Sequence, residues 1–270
     1  DAHLNLKEYY EAKTNIDRNQ KKSDIIFFFK NHPLSRWVAS KSRGKKIAVD
    51  EQNFTFFKEA DLRMKGSHNF RNAVMAATVA LKIGVPKSTI IKTARKFRGL
   101  EHRLEFVRKV MVQRAQSSAE AHSKSHKNKS AIYFYNDSAS TNPQTVIAAI
   151  RAFPDEPKIL IAGGQDKGLD YRPLGTALRN SDTKLVILFG ENKKKIQRAI
   201  KESGILIKLV SNLKTAVSLA YRSAKQPTIP TPLRGSGPRP RSASGLTTIL
   251  FSPGAASFDM FQNYADRGRK

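Results

Sequence analysis

The chain has 270 residues, of which 39% are hydrophobic, so it can form one large or two ordinary domains with a buried core. Its 49 Lys and Arg residues against 22 Asp and Glu give a formal net charge of +27, which favours an anionic partner or, equally, a Lys-rich solvated surface. The absence of cysteine is typical of a reducing cytoplasm, and the longest apolar runs are far too short to span a bilayer.

The first hundred residues contain alternating helical and strand patterns. Apolar residues recur at helical spacing over residues 68–84, and Gly84 and Pro86 end this pattern. A second helix is predicted over residues 87–97, with Ser88 as its N-cap. The remaining predicted elements of this half are a helix at 4–20 and short strands at 25–29 and 46–49.

After a predicted hinge at RGLEHRLEF, the pattern becomes a repeated strand, loop and helix. Continuous apolar strands that alternate with helices indicate a parallel sheet covered on both faces. We therefore predict an α/β fold with a Rossmann-like, mostly parallel sheet in this half. Strands are predicted at 131–137, 158–164, 184–190, 205–210 and 247–254, and helices at 142–153, 171–179, 192–203, 212–223 and 257–265.

Two stretches do not have the composition of a folded core. Residues 111–130 are polar and rich in Ser and Lys, and residues 225–245 are rich in Pro, Gly, Ser and Arg, so we predict disordered, mobile insertions at both places. His122 and His126 are four residues apart, but no third metal ligand is evident. Two solvated histidines are therefore favoured over a metal site.

Ligands of open α/β sheets bind at the carboxyl ends of the strands. This rule selects four loops here, namely NDSASTN (136–142), GGQDKG (163–168), FGEN (189–192) and SPGAAS (252–257). Their small residues let backbone N–H groups approach an anion, and Lys167 adds a positive charge. The loops favour a carboxylate or phosphate ligand, although Gly and Ser are also ordinary residues of such turns. The chain has no G-x-x-x-x-G-K-[ST], G-x-G-x-x-G or G-x-S-x-G motif.

The order of six motifs resembles the Mur ligases. The motifs are YYEAKTNI (9–16), MKGSHNFRNAVMAA (64–77), GLEHRLE (99–105), NDSASTNP (136–143), GGQDKGLDY (163–171) and SPGAASFDMFQNYADRG (252–268). They cover most of the chain, and the last two are similar to those of the members that add D-glutamate. The resemblance implies that residues 1–99 are the C-terminal part of the central, ATP-binding domain and that residues 100–270 are the C-terminal, amino-acid-binding domain.

The resemblance also implies a chemistry. A Mur ligase of this type is a cytoplasmic enzyme of peptidoglycan synthesis that uses ATP and Mg²⁺ to join D-glutamate to UDP-N-acetylmuramoyl-L-alanine. ATP phosphorylates the carboxylate, the amine of D-glutamate attacks the acyl phosphate, and phosphate leaves. By the same resemblance we expect a monomeric fragment without the uridine-nucleotide domain, the phosphate loop and a Mg²⁺-binding glutamate, and hence without ligase activity of its own.

On the ATP side, the resemblance assigns one set of residues to the metal, the adenine and the phosphates. Lys13 (as a carbamate) and His3 correspond to metal ligands, and Asn69 and Asn72 correspond to adenine contacts. His102 and Arg103 correspond to the interdomain segment that reaches the nucleotide, and Asp137 corresponds to a residue that helps to organise the ATP side. Arg103 would neutralise phosphate charge. Ala139 stands where the family often has Lys. Without the resemblance, these positions indicate a solvated lysine, helix-start and hinge residues, and a helix cap.

A second set of residues is assigned to D-glutamate. The resemblance implies that Thr141 and Lys167 bind one carboxylate, and that Ser257, the Phe258 backbone and Tyr264 bind the other. Without it, these residues indicate a helix cap, a loop cation and core aromatics. A serine that caps a helix at position 257 would satisfy both interpretations, since a helix N-terminus binds anions.

Two alternatives stay open. The net charge of +27 fits a basic nucleic-acid-binding protein, but the basic tracts lie largely in loops and no recognised nucleic-acid module is present. The other alternative is a Mur ligase that adds a different amino acid, such as meso-diaminopimelate, lysine or L-alanine.

Overall fold

The computed structural model describes residues 5–113, 129–226 and 246–270. The chain divides into two compact units, unit 1 at residues 1–97 and unit 2 at residues 98–270. Each unit has its own hydrophobic core, so the two are described separately.

Over residues 5–97, unit 1 contains two parallel strands and four α-helices. Its elements are α1 (Leu6–Lys13), β1 (Ile25–Phe29), α2 (Pro33–Lys41), β2 (Lys45–Val49), α3 (Ser67–Lys82) and α4 (Lys87–Lys96). The core contains Val49 from β2, Val74 and Ala77 from α3, and Ile90 from α4. The apolar positions of α3 and α4 follow the helical spacing of the sequence, and this spacing places them on the face that covers the strands.

Several predictions for unit 1 need correction. The helix predicted at 4–20 ends at Lys13, because the chain tightens into a 3₁₀ turn at Thr14–Ile16. Helix α2 was not predicted, although Pro33 at its first position is a helix-start signal, and the His32 ring caps it by accepting a hydrogen bond from Ser35 N. Ser88 is not an N-cap, since α4 begins one residue earlier, at Lys87, without a side-chain cap.

Over its described residues, 98–113, 129–226 and 246–270, unit 2 forms a six-stranded, mostly parallel sheet with helices on both faces, which confirms the predicted fold class. The elements in chain order are β3 (Glu105–Gln113), β4 (Lys129–Asn136), α5 (Pro143–Arg151), β5 (Lys158–Gly163), α6 (Arg172–Arg179), β6 (Thr183–Phe189), α7 (Lys193–Ile200), β7 (Leu206–Leu209), α8 (Leu213–Lys225), β8 (Leu246–Phe251) and α9 (Tyr264–Arg269). The strand order is β3-β4-β8-β5-β6-β7, and β3 alone runs antiparallel.

Strand β3 corrects the predicted boundaries of the first insertion. Residues 105–113 pair with β4, in register from Glu105 opposite Asn136 to Gln113 opposite Lys129. The ends of the predicted insertion at 111–130 therefore belong to the sheet, and the rest lies outside the described residues. Similarly, α8 extends to Lys225, so the second insertion begins later than predicted.

The C-terminal segment also departs from the prediction. Helix α9 begins at Tyr264 instead of residue 257, because Asn263 caps it with a side-chain oxygen that accepts from Asp266 N at 2.8 Å. Ser257 instead starts an irregular turn, in which its carbonyl accepts from Met260 N at 3.2 Å and from Phe261 N at 2.9 Å. Ser257 is therefore not a helix N-cap.

The core of unit 2 lies on both faces of the sheet. Helices α5, α6 and α7 cover one face with residues such as Val146, Leu174 and Ile196, and α8 covers the other with Ala216 and Ala220. Every residue of β5 is buried, as expected for a central parallel strand. Across the described ranges of both units, no helix has the length and apolar character needed to cross a membrane.

Candidate functional site

The carboxyl ends of β4, β8 and β5 meet at one edge of the sheet of unit 2. Asp137 N, just after β4, donates to Phe251 O at 2.7 Å, and Gly163 N, at the end of β5, donates to Pro253 O at 2.9 Å. Three of the four loops selected from the sequence are therefore hydrogen-bonded to one another where α/β proteins bind ligands.

Gly164 joins the fourth loop to this edge. Its N–H donates to Asn192 Oδ1 at 3.0 Å, and its carbonyl accepts from Asn192 N at 3.0 Å. A Cβ at position 164 would lie 2.3 Å from Ala256 O. No other residue type allows the three segments to approach this closely, which is the physical reason for glycine here.

A buried arginine holds the C-terminal loop in place. Arg267, in α9, is 1% exposed, and its Nη1 donates to the carbonyls of Ala255 (3.0 Å) and Ala256 (3.2 Å). Its Nε donates to Ser138 Oγ at 3.0 Å and its Nη2 to Ser138 O at 2.9 Å. One guanidinium therefore connects the loop after β8 to the loop after β4.

The position of Arg267 was not predicted from the sequence. The segment ADRGR (265–269) has the composition of a solvated basic end, and only the fold shows that Arg267 turns inward. Burial lowers the pKa of Arg267 to about 10, and the charge of Asp259 opposes this shift. Even with this shift the guanidinium is cationic at neutral pH, so the site contains a buried positive charge.

A second buried contact runs from Tyr171, just before α6, to the same edge. The Tyr171 hydroxyl donates to Gly254 O at 2.9 Å and accepts from Asn192 Nδ2 at 2.9 Å. Burial raises the pKa of Tyr171 to about 12, so the hydroxyl keeps its proton and its donor role at neutral pH. Sequence analysis did not single out either residue.

Carboxylates connect the loop that contains Lys167 to the turn that contains Phe258. Asp259 Oδ2 accepts from Glu191 N at 3.1 Å, and Glu191 Oε2 accepts from Asp166 N at 3.2 Å. Lys195 pairs with Asp166 at 2.7 Å, and this hydrogen bond holds the pKa of Asp166 below its usual value. The residues on either side of the candidate site are thus held at defined positions.

Two residues assigned to D-glutamate lie side by side at this edge. Lys167 Nζ is 5.9 Å from the centre of the Phe258 ring, and both side chains are exposed, Phe258 by 62%. Ser257 is buried beside them, and Thr141 is half-buried in the loop before α5. The arrangement offers an ammonium group and an apolar wall to a ligand from solvent.

Tyr264 is also on this side of unit 2, since its carbonyl accepts from Ser138 Oγ at 2.7 Å. The side chain is 48% exposed, so it is not a core aromatic, and neither is Phe258. The alternative interpretation of these two rings as core residues is therefore wrong. The interpretation of Lys167 as a loop cation agrees with its exposure, and it is compatible with ligand binding.

Asp137 is buried at the end of β4, where it holds the hinge. Its Oδ1 accepts from Leu104 N at 3.1 Å, and its Oδ2 accepts from Ser252 Oγ at 2.7 Å. Burial raises the pKa of Asp137 to about 6, against these hydrogen bonds and the charge of Arg103. Asp137 does not cap the next helix; Asn142 caps α5 by accepting from Thr145 N at 3.0 Å.

His102 is buried in the hinge with one nitrogen available. Asn136 Oδ1 accepts from Ser138 N, so the Asn136 amide nitrogen faces His102 Nδ1 at 3.0 Å and donates to it. The neutral ring then has its proton on Nε2, which is buried and has no hydrogen-bond partner among the described residues. A buried N–H of this kind is available to donate a hydrogen bond to a ligand.

The hinge backbone is held in an unusual conformation. His102 and Leu104 have φ values of 62° and 46°, which are uncommon for residues other than glycine. Gly268 allows the ring to pack here, because a Cβ at that position would lie 2.3 Å from His102 Nδ1. Arg103, between the two strained residues, is exposed, and Ala139 N donates to His102 O at 2.9 Å.

In unit 1, the residues assigned to adenine lie in the first turns of α3. Asn69 is buried and its amide donates to Lys65 O at 2.8 Å, while Asn72 is exposed. Neither Asn69 nor His68 caps the helix, which begins after Gly66, a residue with φ of 96°. Arg71 pairs with Glu51 at 3.3 Å, so this end of α3 lies near the carboxyl end of β2.

Of the two predicted metal ligands, Lys13 lies within the described residues and His3 does not. Lys13 is exposed, with its Nζ 4.9 Å from the centre of the Tyr9 ring, and His3 lies outside the described residues. Within residues 5–113, 129–226 and 246–270, no group of three His, Cys, Asp or Glu side chains could hold a metal ion. His122 and His126 also lie outside these ranges.

Comparisons with known proteins agree with the resemblance read from the sequence. Residues 124–229 match the family described as "Mur ligase, glutamate ligase domain". The chain is 30% identical over 280 residues to the UDP-N-acetylmuramoylalanine–D-glutamate ligase of Aquifex aeolicus, and 29% identical over 299 residues to that of Acetivibrio thermocellus. Both alignments cover 100% of this chain, and they cover 57% and 55% of the relatives.

A solved structure gives the same result for the fold. The MurF ligase of Thermotoga maritima in complex with ADP superposes on 94% of this chain and 56% of its own, with a TM-score of 0.56 and 13% identity. The predicted resemblance to the Mur ligases is confirmed. The chain spans about half the length of the curated relatives it matches.

Proposed function

We propose that this chain contains part of the ATP-binding domain and the amino-acid-binding domain of an ATP-dependent ligase that adds D-glutamate to UDP-N-acetylmuramoyl-L-alanine in cytoplasmic peptidoglycan synthesis. The observation that carries the proposal is the pairing of Lys167 with Phe258 at the carboxyl edge of the sheet. It is supported by the D-glutamate ligases that align with the whole chain.

The amino-acid side is argued from charge and exposure. A dicarboxylate needs a cation and hydrogen-bond donors that are fixed in position before it binds. Lys167 supplies an exposed ammonium group, and Thr141 lies in a loop joined to the same strand ends. We propose that these two residues bind one carboxylate and that Ser257, Phe258 N and Tyr264 lie at the other.

The helix-terminus argument for the second carboxylate no longer applies, because no helix begins at Ser257. What supports Ser257 and Phe258 is the rigidity of their turn. Arg267 holds the two preceding carbonyls, and Asp259 is hydrogen-bonded to the loop after β6. A turn held at both ends presents its groups to a ligand at low entropic cost.

The nucleotide side is argued from the hinge. His102 has a buried N–H without an acceptor among the described residues, and Arg103 beside it is an exposed cation. Such a pair suits a nucleotide that offers both acceptors and phosphate charge. We propose that they contact ATP, with Asp137 holding the hinge; ADP is bound in the MurF relative.

In unit 1, Asn69 and Asn72 are one turn apart at the start of α3, and we propose that they contact adenine. No residue of the described ranges supports the Mg²⁺ site, so Lys13 and His3 stay predictions. The 270 residues also contain no phosphate-loop motif. We therefore expect that these 270 residues, acting as a monomer, bind D-glutamate but do not make product.

The proposed reaction forms an amide through an acyl phosphate. The muramoyl alanine carboxylate takes the γ-phosphoryl group of ATP, and ADP leaves. The amine of D-glutamate then attacks the carbonyl carbon and loses a proton, and phosphate leaves as its bond to that carbon breaks. Binding both carboxylates of D-glutamate aims its amine at the carbonyl, which converts an encounter of two molecules into a step within one complex. Lys167 and Arg103 would act chiefly through charge.

The proposal is tested by measuring amino-acid binding to the full chain by calorimetry or ligand-observed NMR. D-Glutamate is expected to bind, and meso-diaminopimelate, lysine and L-alanine are not. Lys167→Met removes a charged hydrogen bond and is expected to weaken binding about 10- to 100-fold. Lys194→Met, which removes an exposed cation on α7, is the matched control and leaves the affinity unchanged.

Absence of D-glutamate binding, or an equal loss in both variants, would refute the amino-acid site. Binding of another of these amino acids in its place would instead favour a Mur ligase of different specificity.

A further inference from the structure

Unit 1 has a charged surface at the amino ends of its strands. Residues 17–24 lead into β1 and residues 41–45 lead into β2, and because the two strands are parallel these segments lie at one edge. They are hydrogen-bonded together, since Lys45 N donates to Asp24 O at 2.7 Å and the Ser42 hydroxyl donates to Gln20 Oε1. The two segments therefore form a continuous surface.

We call this surface the basic patch. It is defined by six exposed cations, which are Arg18, Lys21, Lys22, Lys41, Arg43 and Lys45. Asp24 is the one exposed carboxylate of the two segments, and one of its oxygens accepts from Lys21 N at 2.8 Å. Within the described part of the chain, none of the six cations has an ion-pair partner.

An indole lies at the margin of the basic patch. Trp37 is on α2, one turn before Lys41, whose Nζ is 5.7 Å from the centre of the ring. The ring is 39% exposed, and Arg36 next to it is also exposed. Trp37 is the only tryptophan of the chain, so its fluorescence reports on this surface alone.

The basic patch is separate from the nucleotide side of unit 1. Glu51 follows the carboxyl end of β2 and pairs with Arg71 near Asn69, whereas the basic patch precedes β1 and β2. The adenine contacts proposed in unit 1 and the basic patch therefore lie at opposite ends of the two strands, and a partner at one does not need the other.

We propose that the basic patch docks on an anionic phospholipid surface. Each Lys or Arg near such a surface strengthens binding about fivefold, and an indole ring favours the interface between headgroups and acyl chains. Single-stranded nucleic acids are bound instead by several aromatic rings in succession, whereas residues 17–24 and 41–45 contain no Phe, Tyr or Trp and have the Trp37 ring at their margin. The combination of many cations with one indole therefore favours the lipid surface.

The test uses the full 270-residue chain with phosphatidylcholine vesicles, with and without phosphatidylglycerol. Sedimentation is expected to show binding only to the anionic vesicles, and raised salt should release it. On binding, the emission of Trp37 is expected to shift to shorter wavelength and to be quenched by brominated lipids.

A pair of variants with equal charge separates the basic patch from the general charge of the chain. Replacing Lys21, Lys22 and Lys41 by Gln is expected to weaken vesicle binding about a hundredfold. Replacing Lys82, Lys92 and Lys96 by Gln removes three exposed cations of α3 and α4 and is expected to leave it nearly unchanged.

Three results would overturn the proposal. They are an equal loss of binding in both variants, an unchanged Trp37 spectrum on bound vesicles, and quenching of Trp37 by single-stranded oligonucleotides without any binding to vesicles. The last result would identify the basic patch as a nucleic-acid surface. None of the three depends on D-glutamate binding, so this proposal and the proposed function can fail separately.

Discussion

Arg267→Met tests whether one buried guanidinium holds the candidate site together. Methionine replaces the aliphatic stem of the side chain but removes every donor. The carbonyls of Ala255 and Ala256 and both oxygens of Ser138 then lose a charged partner. Buried acceptors that lose a donor destabilise the folded state by their full desolvation cost.

The magnitude follows from two opposing terms. The three donor nitrogens of Arg267 each make a charged hydrogen bond of about 2 kcal/mol, and together they stabilise the folded state by about 6 kcal/mol. Burial lowers the pKa of Arg267 from 12.5 to about 10, which corresponds to a penalty of about 3 kcal/mol. The net contribution is about 3 kcal/mol, which is a large share of the stability of an ordinary domain.

Hydrogen exchange measured by mass spectrometry resolves this loss at the site itself. The amides of Gly163 and Gly254 donate to Pro253 O and Ser140 O, so their exchange reports opening of the loop after β8. A loss of about 3 kcal/mol should speed their exchange about a hundredfold, and D-glutamate affinity should fall with it.

Arg269→Met removes an exposed cation two residues further along α9 and is the matched control. If Arg267→Met changes the exchange of these amides no more than Arg269→Met does, the guanidinium does not hold the loops and the reasoning is wrong.

Two further predictions concern unit 2. Lys158 is 0% exposed, and burial lowers its pKa from 10.5 to about 8. Between these two pH values the unfolded chain therefore binds more protons than the folded chain does. The free energy of unfolding should rise with pH across that window by up to about 3 kcal/mol. Lys158→Met should flatten this rise when urea titrations are made between about pH 7.5 and 10.5. If the slope of the free energy of unfolding against pH is unchanged in the variant, the buried amine is not its cause. Gly164→Ala should weaken D-glutamate binding and speed exchange near Ala256, because its Cβ would lie 2.3 Å from Ala256 O. Gly168→Ala is the control, because a Cβ at that position would have nothing within 4 Å and would add only the backbone strain of a φ of 73°. An equal effect of both variants would refute the close-approach argument.

Periodicity was sufficient for the elements with a strong apolar pattern. Strand β5 is buried along its whole length and was predicted from the continuous apolar pattern at 158–164, and α3 follows its helical spacing. The antiparallel strand β3 was missed because it lies at the sheet edge, where Phe106, Val107 and Met111 are exposed and the pattern is weak. Helix α2 was missed for a similar reason, since Ala39 is its only fully buried residue.

The candidate site divides in the same way. The strand-end rule and the small residues of the loops located the edge of the sheet where the candidate site lies, and the positive charge of Lys167 selected that residue within the loops. The start of α9 was misplaced, because Ser257 and Asn263 both resemble N-caps and only the surrounding contacts select Asn263. Propensity cannot choose between two such signals.

The sequence by itself determined the α/β class of unit 2, the loops at the strand ends and the resemblance to the Mur ligases, because these depend on local patterns and motif order. Only the tertiary structure decided that Arg267 turns inward, that Phe258 and Tyr264 face outward, and that the loops before β1 and β2 bring six cations together. Whether a polar side chain is buried depends on acceptors far away along the chain, such as the oxygens of Ser138, 129 residues from Arg267. No local pattern contains that information.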